Sequence, residues 1–325
     1  MHAVASSAHR AYALGLSRVV RLSCLVLLAC VLAVWSGALA AQEEAPGDAQ
    51  AKAAALRARY AELQDRLHDS AFGLALTVDS QQLPERLAGD LYGVINDSFG
   101  TLRSTLVDRP QWCQLLLLHI NVKDCRTASV ERQDGIVLTL GGKNDVGGEN
   151  GAQLGYRFKV ADSTPEYLDV ILASNKGPYG TTNHRIALEA TALPDGRTFI
   201  HLSYAHAYGP VAKLALTAYL NTVGRDKVGF TVVSHTSDGQ PVYIQGVRGI
   251  VERNCMRYFL AVIAYLRGNS APPDQRVASR LASWFDLTER WPRQLHEVSR
   301  SQYFDTKLQE YRHVAGAASD TQAAR

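Results

Sequence analysis

The sequence predicts an α+β domain in which a curved antiparallel sheet grips a long C-terminal helix. Three observations lead there. After Cys125 the chain is a succession of short apolar segments divided by turn residues; before it stand a strand and several short helical stretches; and Gly249 to Leu266 carries the longest apolar stripe at helical spacing. A sheet must cover its apolar face, and bending around that last helix is one of few packings of this order that do so.

The first forty residues form a basic region with Arg10, Arg18 and Arg21, an apolar run from Leu22 to Val34, and then Ala38-Leu39-Ala40. This is the pattern of a secretory signal with cleavage after Ala40. The run is too short for a confident span, which needs roughly 20 apolar residues. An exported, periplasmic protein is expected. Without its leader the chain loses three Arg and no acid, so 34 basic and 31 acidic residues become 31 of each. A neutral chain lacks the basic excess of a nucleic-acid binder, and no nucleic-acid partner is expected. With 46% hydrophobic residues, the chain has enough apolar surface for one sizeable core.

Residues 42 to 53 have no apolar period and are expected to be a tether. Leu56, Tyr60, Leu63 and Leu67 then mark a helix from Ala54 to His68. Phe72 to Val78 has strand character. Pro84 is expected to open a helical stretch through Leu91, Asp97 or Ser98 to cap a helix carrying Phe99, Leu102 and Leu106, and Pro110 to close it. Trp112 to Lys123, with four consecutive leucines, is expected to be helical. Cys113 and Cys125 are either a disulfide or two buried thiols. On one continuous helix they would stand roughly 18 Å apart at 1.5 Å per residue, so a bridge requires the chain to reverse near Asn121.

Ser129 to Glu131 and Gly135 to Leu140 flank Gln133-Asp134 as a hairpin. Gly141 to Gly151 is a flexible loop, and strands are expected at Gln153–Val160, Tyr167–Ser174, His184–Leu193 and Thr198–Tyr208. Pro194-Asp195-Gly196 is a tight turn, because Pro presets φ and Gly supplies positive φ. A helix over Val211–Val223 interrupts the series, and Lys227–His235 and Pro241–Gln245 form a hairpin about Ser237-Asp238-Gly239. The helix from Gly249 ends before Pro272 and Pro273. Two charged amphipathic helices follow, Val277–Phe285 and Leu287–Tyr311, the second a candidate partner-binding surface.

This order of elements is similar to the helix-grip fold of the START and polyketide-cyclase superfamily. The resemblance covers Phe72 to Leu266 and rests on that order and on the segments Gly89-Asp90-Leu91-Tyr92-Gly93-Val94-Ile95, Pro110-Gln111-Trp112-Cys113 and Arg248 through Leu266. The helix at Val211 and the helices after Pro273 depart from it. The chain thus divides into a signal peptide (1–40), a linker with an N-terminal helix (41–69), a START-like domain (70–268) and a helical extension (269–325). The resemblance implies an internal apolar cavity that holds a lipid or other hydrophobic small molecule, with transient membrane contact as cargo is exchanged. No cofactor or metal is implied.

Alternation along Thr198–Tyr208 puts Leu202, Tyr204, His206 and Tyr208 on one face and His201, Ser203 and Ala205 on the other. Tyr204, His206 and Tyr208 are therefore either an aromatic wall with polar tips or ordinary core. Arg225 and Lys227 at one junction, and Arg248 and Arg253 at the start of the terminal helix, either hold an anionic head group or form local pairs such as Asp226 with Arg248. Tyr204, His206, Tyr208, Arg225, Arg248 and, from the helix stripe, Phe259 make up the expected ligand site. An enzyme on the same scaffold would use His119 or His206 as general base beside Glu189 or Glu252. No spacing ties those residues together, so no catalytic residue is assigned. The sequence has no G-x-S-x-G, H-E-x-x-H, C-x-x-C or phosphate-loop motif.

Overall fold

The computed structural model describes residues 46–143, 145, 151–222 and 224–323; the expected signal segment lies outside them, as does most of the loop after Lys143. Helix α1 (Pro46–His68) begins earlier than expected. Its first turns are alanine-rich and need no apolar period to be helical, because Ala has the highest intrinsic propensity. Much of the segment expected to be a tether is therefore helix. Ala53, Leu56, Leu63 and Leu67 share one stripe and bury against Tyr167, Leu193 and Phe199 of the sheet.

Strands β1 (Leu76–Leu83) and β2 (Arg86–Ile95) form a hairpin about Pro84-Glu85, where a helix was expected. Leu87, Leu91 and Ile95 recur every four residues, a spacing that fits a helix turn and two strand repeats equally. Two glycines decide how the strand is used. A Cβ at Gly89 would lie 2.4 Å from Val251 Cγ1, and one at Gly93 would lie 2.5 Å from Phe259 Cζ, so a helix packs directly on the β2 backbone.

Helix α2 (Phe99–Leu106) is capped by Ser98, whose Oγ accepts from Thr101 N at 3.3 Å. Pro110 does not close it. It stands in the first turn of α3 (Arg109–Leu116), where a missing N–H costs nothing. The chain then reverses through residues 117–121 into β3 (Val122–Val130), dividing the run expected to be one helix. That reversal brings the Cα atoms of Cys113 and Cys125 to 5.2 Å, and the two are joined as a disulfide.

The meander continues through β4 (Gln133–Leu140), β5 (Ala152–Ser163), β6 (Tyr167–Lys176), β7 (Thr181–Ala192) and β8 (Thr198–Tyr208). The first turn falls at Glu131-Arg132, two residues before the expected site, with φ of 51° and 64°, the backbone of a two-residue hairpin loop. The eight strands pair antiparallel in the order β1-β2-β8-β7-β6-β5-β4-β3. Helix α4 (Pro210–Asn221) follows, then a separate hairpin of β9 (Val232–His235) and β10 (Pro241–Tyr243).

Helix α5 (Gly246–Gly268) is buried along almost its whole length and lies across the inner face of the sheet. The succession β2, α2, α3, six strands and α5 is the START-like helix-grip arrangement, with β1 added at the edge. The single helix expected over Leu287–Tyr311 is instead the end of α6 (Arg276–Thr288), the short α7 (Pro292–Leu295) and α8 (Arg300–Ala323), broken where Pro292 cannot continue α6. Trp284, Leu287, Leu295, Tyr303 and Tyr311 sink into the main core, so the apolar side of this extension is buried within the domain. Helix α8 is fastened to β3 by Lys307, which donates to His119 O at 2.7 Å, Val122 O at 2.8 Å and Glu310 at 2.7 Å. Among the described residues no helix is long and apolar enough to cross a membrane.

Candidate functional site

The inner face changes character along its strands. In the middle it is aliphatic: Leu202 on β8 lies between Leu91 on β2 and Leu188 on β7, and Val251 and Cys255 of α5 close over them. Leu91, Leu172, Leu188, Val251 and Cys255 have no accessible surface, so no water-sized hollow adjoins them. Toward the end where β8 meets α4 the residues become polar and aromatic. His184, His206, Tyr204, Tyr258 and His119 follow one another across the face, with successive ring centroids 5.2, 5.6, 5.8 and 5.2 Å apart. Asn254 of α5 interacts with both Tyr204 and His119.

Burial keeps these groups neutral. It pushes His184 down to about 4, helped by the neighbouring His206, and His206 down to about 4 by itself. His119 lies well below the usual histidine range because of burial, then Arg257 and Lys307. Burial raises Tyr204 to about 12, and it raises Tyr258 too. His119 Nδ1 accepts from Asn121 N at 3.2 Å, and His184 Nε2 meets Thr181 Oγ1 at 2.8 Å. Nδ1 of His184 and Nδ1 of His206 are buried with no hydrogen-bond partner among the described residues. Such groups cost free energy when left unpaired, typically about 1–3 kcal/mol each.

Of the residues expected to bind a ligand, Tyr204 and His206 stand together in this seam. Tyr208 sits at the strand's end, its hydroxyl 3.4 Å from Leu83 O. Phe259 packs over Gly93 in the aliphatic core. Arg248 Nε donates to Ser80 Oγ at 3.1 Å, and does not pair with Asp226. Arg225 is exposed, with Asp226 as its nearest carboxylate at 3.9 Å. His184 and Tyr258 were missed, although His184 shares strand parity with Ile186 and Leu188, and Tyr258 belongs to the α5 stripe.

The carboxylates expected beside a catalytic histidine are engaged elsewhere. Glu252 is fully buried and accepts from Phe230 N at 2.6 Å, Thr231 N at 2.9 Å, Thr231 Oγ1 at 2.7 Å and Ser80 Oγ at 2.6 Å. Glu189 lies on the outer face, where it meets His201 Nδ1 at 2.8 Å and accepts from the Tyr167 hydroxyl. His201 Nε2 meets Asp90 at 2.9 Å, and its ring stacks on Tyr92 at 4.3 Å. Burial alone would lower His201, but the two carboxylates outweigh it and raise the ring to about 9. Three recesses lie apart from the five rings: about 540 Å³ beneath α1 on the outer face, about 490 Å³ at the β1 edge beside Phe230, and about 710 Å³ around Leu83, Pro84 and Arg248. Among the described residues no group of three or more His, Cys, Asp or Glu is placed to hold a metal ion.

No family model matches the chain, and no curated protein matches it. Solved structures do. Norcoclaurine synthase from Thalictrum flavum is 15% identical over 46% of this chain and 79% of its own, with a TM-score of 0.28. A START superfamily protein from Mycobacterium smegmatis is 15% identical over 42% of this chain and 92% of its own, TM-score 0.27. The Zhui aromatase/cyclase from a Streptomyces species is 10% identical over 67% and 95%, TM-score 0.29. At such scores the fold assignment rests on strand order and helix placement.

Proposed function

We propose that this is an exported binding protein for a lipid or other hydrophobic small molecule, which lies along the seam from His184 to His119 between the sheet and α5. One observation carries the reading: a row of five polar aromatic rings across the inner face beside the buried Tyr156, including two buried imidazole nitrogens with no partner among the described residues. An apolar wall with a few convergent polar groups is what a hydrophobic guest requires. In the seam Tyr204 and Tyr258 each keep 9% exposure, while the aliphatic centre of that face keeps none. Entry is by displacement of α4, which follows directly on Tyr208. Leu83, Tyr179 and Leu214, exposed around that end of the sheet, support transient contact with a membrane during loading. The leader and the Cys113–Cys125 disulfide support an oxidising compartment outside the cytoplasm.

The test is organic-solvent extraction of the purified mature chain followed by mass spectrometry, together with titration by Nile red, a neutral apolar dye. The expected result is a co-purified lipid or saturable 1:1 dye binding, weakened at least fivefold in Tyr204→Ala. An extract without lipid and a linear, unsaturable dye signal would end the carrier reading.

A further inference from the structure

Three cations from distant parts of the chain converge on one carboxylate. Arg257 Nη2 lies 2.8 Å from Glu297 Oε1, and Lys227 Nζ and Lys143 Nζ lie 2.9 and 3.8 Å from Oε2. Lys143 also donates to Glu297 O, and Lys227 to His296 O. Arg257 is almost wholly buried, and its Nε has no hydrogen-bond partner among the described residues. A structural ion pair needs one cation. Here three surround a single acid, the buried Arg257 on its inner side and the more exposed Lys227 and Lys143 on its outer side, so the cluster carries a net positive charge that an anion can complete.

The position of the cluster gives that excess a use. Arg257 adjoins Tyr258 in the chain, and its charge helps to hold His119 neutral. Lys143 follows Gly141, whose backbone pairs with Asn121 at the turn that carries His119. The cations therefore stand at the His119 end of the seam. Glu297 comes from the non-helical connector between α7 and α8, which can move without unwinding either helix. Its carboxylate has the shape and charge of a fatty-acid head.

Resting on the carrier reading above, we propose that Lys143, Lys227 and Arg257 bind the acid group of an anionic amphiphile, and that Glu297 occupies this site as a built-in stand-in until the ligand displaces it. The guest would lie with its chain along the seam and its acid among the three cations.

The experiment compares oleate with oleyl alcohol, which has the same chain and no charge, by Nile red displacement from the mature protein. Glu297→Gln keeps the shape of the side chain, and near-ultraviolet circular dichroism verifies its fold. It is expected to tighten oleate about tenfold and leave oleyl alcohol unchanged. Lys227→Met, at the accessible side of the cluster, is expected to weaken oleate about tenfold and again spare the alcohol. Equal shifts for both probes, or none in either variant, would overturn the head-group site while leaving the carrier reading intact. Inorganic phosphate competing with oleate at similar affinity would make this a free-anion site and overturn the amphiphile. Binding of neither probe to any variant would remove both readings.

Discussion

His201 and His206 lie five residues apart on β8, and the odd separation puts them on opposite faces of the sheet. On the inner face His206 meets aromatic rings, and burial lowers it to about 4. On the outer face His201 is held between Asp90 and Glu189 and rises to about 9. The faces treat carboxylates as differently. Glu252, inside, is held by two backbone N–H groups and two hydroxyls, whereas Glu189, outside, is held below the usual range by His201 and the Tyr167 hydroxyl in spite of its burial. The inner face thus excludes charge and solvates what remains with fixed dipoles; the outer face pairs charges. A guest entering along the seam meets neutral rings, with Arg257 and the buried Lys123, Lys307 and Glu310 at its His119 end.

The largest test of this contrast is Glu252→Ala. Removing the carboxylate strands two buried N–H groups and two hydroxyls where α5 joins β1, and should cost about 3–5 kcal/mol in urea unfolding. Its outer counterpart, Asp90→Asn, removes a partly solvated partner and should cost about 1 kcal/mol or less. Equal losses would erase the distinction between the faces.

The next test is alkaline. A histidine whose folded pKa is raised contributes stability that is complete below its unfolded value of 6.5 and is lost as pH rises through about 9. His201→Gln should therefore be less stable than the parent by roughly 2–3 kcal/mol at pH 6 and nearly level with it at pH 10. A penalty independent of pH would mean that His201 contributes packing alone.

Strand parity makes the two faces legible in the sequence alone. Thr198–Tyr208 has the expected bounds, and Tyr204 and His206 face inward together, opposite His201. The Ser98 cap and the Asp195-Gly196 turn are legible for the same reason, since their chemistry is local. What the sequence hides is tertiary. Asp90 and Glu189 reach His201 from 111 and 12 residues away, and no local pattern joins them. Likewise Lys143, Lys227, Arg257 and Glu297 come from four separate segments, so Lys227 reads only as a junction charge and nothing local marks Glu297. Where local chemistry misleads, two structures share one signal: leucines spaced by four serve β2 as well as a helix, and Pro110 can end one helix or begin the next.

On the acid side the inner face should dominate. His206 has a folded pKa lowered to about 4, so its contribution is present above 6.5 and is lost as pH falls toward 4, because only the unfolded chain takes up the proton there. His206→Phe should remove part of the parent's acid-limb loss, about 2 kcal/mol between pH 7 and pH 4, without altering the alkaline limb. Titration of the ring by NMR gives an independent check, and a midpoint near 6.5 in the folded protein would contradict burial as the cause.

The smallest effect concerns a carboxylate on the outer face that is buried without a hydrogen bond. Asp169 lies directly across from Glu189, and its Oδ1 is buried with no hydrogen-bond partner among the described residues. Burial, then the repulsion of Glu189, raises it to about 6. A carboxylate raised in this way binds its proton more tightly when folded. The folded state is therefore favoured at low pH and loses that advantage as pH rises from 3.8 through about 6. Asp169→Asn should stabilise the protein by about 1 kcal/mol at pH 7.5 and by nothing below pH 4; the gain is modest because the amide oxygen inherits the same unpaired position. A destabilised variant at pH 7.5 would mean that the ionised Asp169 is compensated by Lys52 and Arg185 across the face, and that charge pairing there extends over the whole row.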